Sequence, residues 1–258
     1  MSMEVYRKIV DQIAPYTVKI ALYNWGEPFL NPNICAMVRY AHGKQIATAI
    51  SSNMNVLPRE GAEALVFAGL DDLIVSCDGL TQKTYETYRI RGNLDRLLAN
   101  VAEVQKAKTV LKSASPHIEF QFLVFDHNRH EIPQVKAFAA SIGINCVRIV
   151  SGGSFGQPPS ASGGRGGKPA MTPTLPPGKP RRRRKCYFPW RTIVVNASGQ
   201  VDPCCVHVHR EAFADASTDP LALAWNNERF QSARSIIAGG KPDVSGEIIC
   251  EECNFGGT

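Results

Sequence analysis

The 258 residues contain no apolar run long enough to span a bilayer. The opening Met1-Ser2-Met3-Glu4-Val5-Tyr6-Arg7-Lys8 lacks the apolar centre of a signal peptide. These two absences predict a cytoplasmic protein with no membrane partner. No internal repeat is evident beyond a strand–helix alternation in the first 150 residues. Charged residues are only 20% of the chain against 44% hydrophobic, which leaves ample apolar material for a core. In a reducing compartment the eight cysteines read as metal ligands, thiols or core residues before they read as disulfides.

The net charge is +6, yet five of the positive charges fall in one run, Arg181 to Lys185. Such a run reads first as a solvated linker end. Contact with a nucleic acid or an acidic surface is the alternative, and nucleic acid is not expected as a partner.

Residues 1–150 alternate helical and strand-like segments. Val18–Leu22, Ile46–Ile50, Leu73–Cys77, Ile118–Val124 and Cys146–Val150 are short apolar runs. Their starts lie 28, 27, 45 and 28 residues apart, the pitch of a strand–helix unit with one longer insertion. Asn31 and Pro32 predict a helix start followed by the stripe Ile34, Met37, Val38 and Ala41, with Gly43 as a left-handed stop. Asn93 precedes the stripe Leu94, Leu97, Leu98, Val101 and Val104. Ile132, Val135, Phe138, Ala139 and Ile142 form a third, stopped by Gly143. The expectation is an α/β fold with a parallel sheet, open or barrel-like. Residues 151–180 break the pattern: nineteen of the thirty are Gly, Pro or Ser, which predicts a disordered linker over 151–185.

Ligands of parallel α/β folds sit beyond the carboxyl ends of the strands. After the first strand comes Asn24-Trp25-Gly26-Glu27-Pro28. There Gly26 permits close backbone approach, Glu27 offers a carboxylate to an ammonium group, and Pro28 stiffens the exit. After the second comes Ser51-Ser52-Asn53, and at the third Ser76-Cys77-Asp78-Gly79. Arg89 follows a short helix and has the fork that grips a carboxylate. Singly, a Gly-Glu-Pro segment is a turn and a Ser-x-Asp-Gly is a helix cap. In order, each at a strand end, they say more.

This series resembles the radical S-adenosylmethionine (SAM) superfamily. Asn24-Trp25-Gly26-Glu27-Pro28 is similar to that family's Gly-Gly-Glu-Pro motif. Ser51-Ser52-Asn53-Met54-Asn55 stands where the family often has Thr-Asn-Gly, and Ser76-Cys77-Asp78-Gly79 where it has Ser-x-Asp-Gly. The resemblance implies a SAM site built from Gly26, Glu27, Pro28, Asn53, Ser76, Asp78 and Arg89. In it Glu27 meets the ammonium, Ser76 the ribose or carboxylate side, and Arg89 the carboxylate. One departure is large. The family's reactive cluster is held by Cys-x3-Cys-x2-Cys, which the chain lacks, and the twenty-six residues before Glu27 contain no cysteine. Met3 to Ile13 then reads as the first barrel helix, and residues 1–150 as a partial (βα)6 radical SAM barrel without its first strand.

From Cys186 onward the sequence is a cysteine-rich module: Cys186-x12-Gly199-x4-Cys204, then Cys250-x2-Cys253. Thiolates in this pattern hold iron–sulfur clusters or zinc. Ile193 to Val201 reads as a β-hairpin turning at Asn196–Gly199, and Leu221 to Ile237 as a helix. Cys205 reads as a structural or spare thiol. His207 and His209 are the zinc alternative, without a common zinc-finger spacing. Cys35, Cys77 and Cys146 read as core cysteines. The module resembles the SPASM (or shorter twitch) domain, which implies that residues 186–258 form a small auxiliary-cluster domain with one [4Fe–4S] cluster on Cys186, Cys204, Cys250 and Cys253.

The implied activity is reductive cleavage of S-adenosyl-L-methionine and hydrogen abstraction from a peptide, sugar or small metabolite. A flavodoxin or ferredoxin is the implied electron donor. Without the three-cysteine loop the chain as given is expected to be inactive. The alternative is a non-catalytic iron–sulfur or SAM-binding scaffold with a degenerate barrel.

Overall fold

The computed structural model describes residues 1–152, 186–205, 211–242, 244 and 248–253. Apart from Ser151 and Gly152, the expected linker lies outside the described residues, as do the Arg181–Lys185 run, His207 and His209. The elements are α1 (Met3–Ile13), β1 (Lys19–Ala21), α2 (Ile34–Gly43), β2 (Ala47–Ser52), α3 (Gly61–Phe67), β3 (Asp72–Ser76), α4 (Gln82–Tyr88), α5 (Leu94–Val110), β4 (His117–Val124), α6 (Ile132–Ser141) and β5 (Cys146–Ser151). After the undescribed stretch come α7 (Phe188–Arg191), β6 (Val194–Val195), β7 (Gln200–Asp202), β8 (Ala214–Asp215), α8 (Leu221–Trp225), α9 (Glu228–Ala238) and α10 (Ile249–Glu252). None of the described helices is long and apolar enough to cross a membrane.

Two compact units result, one of Ala14–Met171 and one that joins Met1–Ile13 to Thr172–Thr258. In the first, five parallel strands lie in sequential order β1 to β5. Every predicted strand is present within two residues of its expected ends. Helices cover one face of the inner strands, while Ser51, Ile74, Glu119 and Gln121 share the other face by register and are only half-buried. Ile50, Leu73, Val75, Phe120 and Phe122 are buried against Leu65 of α3, Leu97, Val101 and Val104 of α5, and Val135 and Ala139 of α6. A parallel sheet with right-handed crossovers gathers all its strand carboxyl ends on one rim, which is what positions the site.

The predicted helix ends hold at two places and shift at two others. Asn93 accepts from the Arg96 amide at 2.7 Å and caps α5, and Gly143 takes a left-handed φ of 77° after α6. Asn31 instead accepts from the Asn33 amide at 2.9 Å, so its side chain shapes the turn before α2, which starts at Ile34. Gly43 stays in the helix, and Gln45 takes the left-handed conformation at φ 60°.

The second unit departs more from expectation. Helix α1 groups with the cysteine-rich module and not with the sheet unit. Ile9 is buried in a core with Val201, Phe213, Leu221 and Phe230, and Val5 and Ile13 pack against it. Gln12 Oε1 accepts the Leu221 amide at 2.8 Å, one of the donors left open at the start of α8, and Lys8 Nζ donates to the Ser217 carbonyl at 2.5 Å. The hairpin is as expected, β6 against β7, with β8 added as a third strand. The single helix expected from Leu221 is two, because Asn227 accepts the Phe230 amide at 3.0 Å and starts α9 afresh. Ile9→Ala should cost about 2–5 kcal/mol and raise amide exchange in α9. Unchanged exchange there would show that α1 contributes nothing to this core.

Candidate functional site

The rim of β1, β2 and β3 brings together most of the sequence-predicted SAM residues. Gly26 sits at φ 92°, a conformation that an L side chain rarely adopts, and bends the chain leaving β1. Pro28 then opens a 3-10 turn, Pro28–Leu30. Glu27, half-buried, spans two loops: Oε1 accepts the Phe29 amide at 3.2 Å and Oε2 the Asn53 amide at 2.9 Å. Two backbone donors thus fix the carboxylate.

Asn53 follows β2, and its Oδ1 accepts the Asn55 amide at 2.8 Å. Asn55 joins three elements, donating to the Tyr85 hydroxyl at 2.8 Å and to the Asn53 carbonyl at 3.0 Å while its Oδ1 accepts the Asn93 amide at 2.7 Å. Ser76 and Ser51 hydroxyls meet at 3.1 Å across β2 and β3. Asn55, Tyr85 and Ser51 are thus structural partners of the rim. Of these, sequence reading named Ser51 and Asn55 only as parts of a motif and missed Tyr85, which carried no signal beyond its buried position on α4.

Asp78 and Arg89 form an ion pair. Asp78 is fully buried; its Oδ2 accepts Arg89 Nε at 2.7 Å and Nη2 at 2.6 Å, and Oδ1 accepts the Leu123 amide at 2.8 Å. Burial pushes the Asp78 carboxyl up, and Arg89 with the Leu123 amide opposes that. For Arg89 burial is the largest influence and acts to lower the pKa, but the charge and hydrogen bonding of Asp78, with Tyr88 and Tyr85, together outweigh it and raise the pKa. Gly79 is required beside this pair, since a Cβ there would lie 2.2 Å from the Tyr85 amide nitrogen. Cys77, expected in the core, is buried with its thiol donating to the Gly79 carbonyl at 3.2 Å, and burial pushes its pKa up to about 12. Cys35 is likewise buried and pushed up to about 12. Both thiols should resist iodoacetamide in native protein and react once it is denatured, which peptide mass spectrometry would read. Native labelling of Cys77 would place that thiol in open contact with solvent.

Of the residues in or after β4, Glu119 on the strand pairs with Arg148 and Asp126 beyond it pairs with Arg129 in solvent. Asn128, which the sequence did not single out, is fully buried. It donates to the Asp78 carbonyl at 3.0 Å and the Leu123 carbonyl at 2.8 Å. A cavity of about 670 Å³ lined by Lys108, Lys112, His117 and Asn145 lies at the amino ends of β4 and β5. It contains none of the predicted residues.

In the second unit Cys186, Cys204, Cys250 and Cys253 are in no disulfide and are of intermediate exposure. Cys250 lies in α10 and Cys253 just past it, where its amide closes the turn on Ile249 at 2.9 Å. Four thiols outside any disulfide are the donor chemistry that an iron–sulfur cluster needs. Among the described residues, however, no three His, Cys, Asp or Glu side chains are gathered as a metal site.

Residues 186–254 match the SPASM family, an iron–sulfur cluster-binding domain. Over 138 residues the chain is 26% identical to an AdoMet-dependent heme synthase of Methanosarcina barkeri, covering 53% of this chain and 38% of that protein. It is 24% identical to a tungsten-containing aldehyde ferredoxin oxidoreductase cofactor-modifying protein of Pyrococcus furiosus, over 99% of this chain and 81% of that one. The fold matches the crystal structure of Streptococcus suis SuiB with a TM-score of 0.64 at 12% identity, over 90% of this chain and 61% of that one. Residues 186–254 thus belong to the SPASM family, and along its length the chain is similar to radical SAM proteins. The matched domain family binds an iron–sulfur cluster, and the heme synthase is by its name AdoMet-dependent. The chain spans little more than a third of the heme synthase, so activity and substrate are matters for proposal.

Proposed function

We propose that this chain carries the SAM-binding rim and the auxiliary-cluster domain of a radical SAM enzyme that abstracts hydrogen from its substrate. The observation that supports this most is the placing of Glu27 after β1 and Ser76 at the end of β3, with Arg89 returned from the end of α4 to Asp78, two residues past β3. Glu27 faces the methionyl ammonium, Arg89 the carboxylate, and Gly26, Pro28, Asn53 and Ser76 shape the pocket between them. Asp78 serves that site from behind. Cys186, Cys204, Cys250 and Cys253 hold one auxiliary [4Fe–4S] cluster, which supplies electron relay or substrate anchoring when bound.

These 258 residues include no Cys-x3-Cys-x2-Cys, so on their own they bind SAM and do not cleave it. The test is the coding sequence upstream of Met1 in the same frame. Expression of an extended chain bearing that motif should yield 5′-deoxyadenosine from SAM and dithionite, while the 258-residue chain should not. A stop codon with no such motif upstream would favour the scaffold reading, which the missing motif itself supports.

A further inference from the structure

The Asp78–Arg89 pair has a geometry that goes past mutual neutralisation. A guanidinium offers five N–H bonds on two usable edges: a side edge of Nε and Nη2, and an end edge of Nη1 and Nη2. Asp78 engages the side edge with a single oxygen, Oδ2, at 2.7 and 2.6 Å. Among the described residues the end edge has no hydrogen-bond partner. The Arg89 side chain is 25% exposed while that of Asp78 is not exposed at all. The fork that remains is therefore the one that takes a carboxylate by two parallel hydrogen bonds.

Asp78 is itself held from three sides. Its second oxygen accepts the Leu123 amide on β4, its carbonyl accepts from buried Asn128, and Gly79 lets α4 pass close enough to bring Arg89 back over it. Arg89 also lies beside the Tyr88 ring, with Cζ 5.2 Å from the centroid, which limits its swing. A long, flexible side chain is thus fixed by an anchor that reaches no ligand.

We propose that Asp78 is the positioning residue that aims the free fork of Arg89 at the carboxylate of SAM. This rests on the reading of Arg89 as the carboxylate ligand. Asp78 touches no reacting atom; it removes the rotamer freedom that Arg89 would otherwise lose on binding.

The experiment is titration calorimetry of the full 258-residue chain with SAM and with decarboxylated SAM, which keeps the ammonium and adenosine but has no carboxylate. Asp78→Asn keeps the shape and the Leu123 contact but weakens the grip on Arg89. Its SAM affinity should fall by about ten- to a hundredfold, while binding of decarboxylated SAM holds. A general loosening of the fold would weaken both compounds and overturn the proposal, as would an unchanged SAM affinity. If Asp78→Asn does not fold, Arg89→Lys serves instead, since it keeps the charge but has no planar fork to orient. SAM affinity equal to that of the unaltered chain in Arg89→Lys would overturn the positioning role. Arg89→Ala separates this proposal from the reading beneath it. Unchanged SAM affinity there, or no SAM binding by the unaltered chain, removes the carboxylate assignment and the anchor with it. Loss in Arg89→Ala without loss in Asp78→Asn removes the anchor alone.

Discussion

Glu27→Ala should weaken SAM binding by about thirtyfold to several thousandfold, the range for truncating one member of a desolvated, hydrogen-bonded charge pair. The structure explains why so short a loop matters. Glu27 is the tie between the turn after β1 and Asn53 after β2, through amides at 3.2 and 2.9 Å. Alanine therefore removes the negative charge proposed to meet the ammonium and frees two loops at once. Glu27→Gln separates these effects, because its carbonyl oxygen keeps one tether while the charge is gone. Loss of SAM in both variants, with the glutamine melting closer to the unaltered protein, is the expected pattern. Full SAM affinity in the alanine variant would mean that the Gly-Glu-Pro loop is an ordinary turn.

The second large effect is expected at Cys250 and Cys253. Ligand binding in small metal domains is folding free energy, about 10–16 kcal/mol for structural zinc in peptide domains. Whole-domain stability is about 5–15 kcal/mol, so losing one ligand can remove more than the unit has in reserve. Serine replacements should drop iron to background and abolish the cooperative melt of the C-terminal unit. Serine is preferred to alanine at Cys250, which also packs on the core of Phe213 and Phe230. Iron retained in full by both variants would sink the ligand assignment.

How much of this was legible varies with the range of the physics involved. The five strands could be read because short apolar runs such as Leu73–Val75, bounded by polar residues, mark a strand from a few neighbours, even though only Leu73 and Val75 of that run enter the core. The caps at Asn93 and Gly143 could be read because they depend on three or four neighbouring residues. Asn31 misled because the same side chain serves a turn as readily as a cap, and the break at Asn227 was hidden inside a helical stripe. The placement of α1 was out of reach. Its amphipathic face at Val5, Ile9 and Ile13 says that something is covered, not that it is Val201 and Phe213, some two hundred residues on. In the site, Glu27 and Arg89 were legible as chemistry. The pairing of Asp78 with Arg89 was not, since eleven residues and a helix lie between them.

That union of α1 with the far end of the chain orders events during synthesis. Ala14–Met171 forms a unit from neighbours in sequence, and each strand pairs with the one before it, so it can assemble as it leaves the ribosome. Helix α1 emerges before the sheet and waits, its apolar face without Val201, Phe213 and Phe230 until the segment that carries them has been made. Iron delivery that depends on a closed C-terminal unit is then a post-translational event. Under iron starvation the finished sheet would be expected to accumulate beside an open, protease-sensitive remainder.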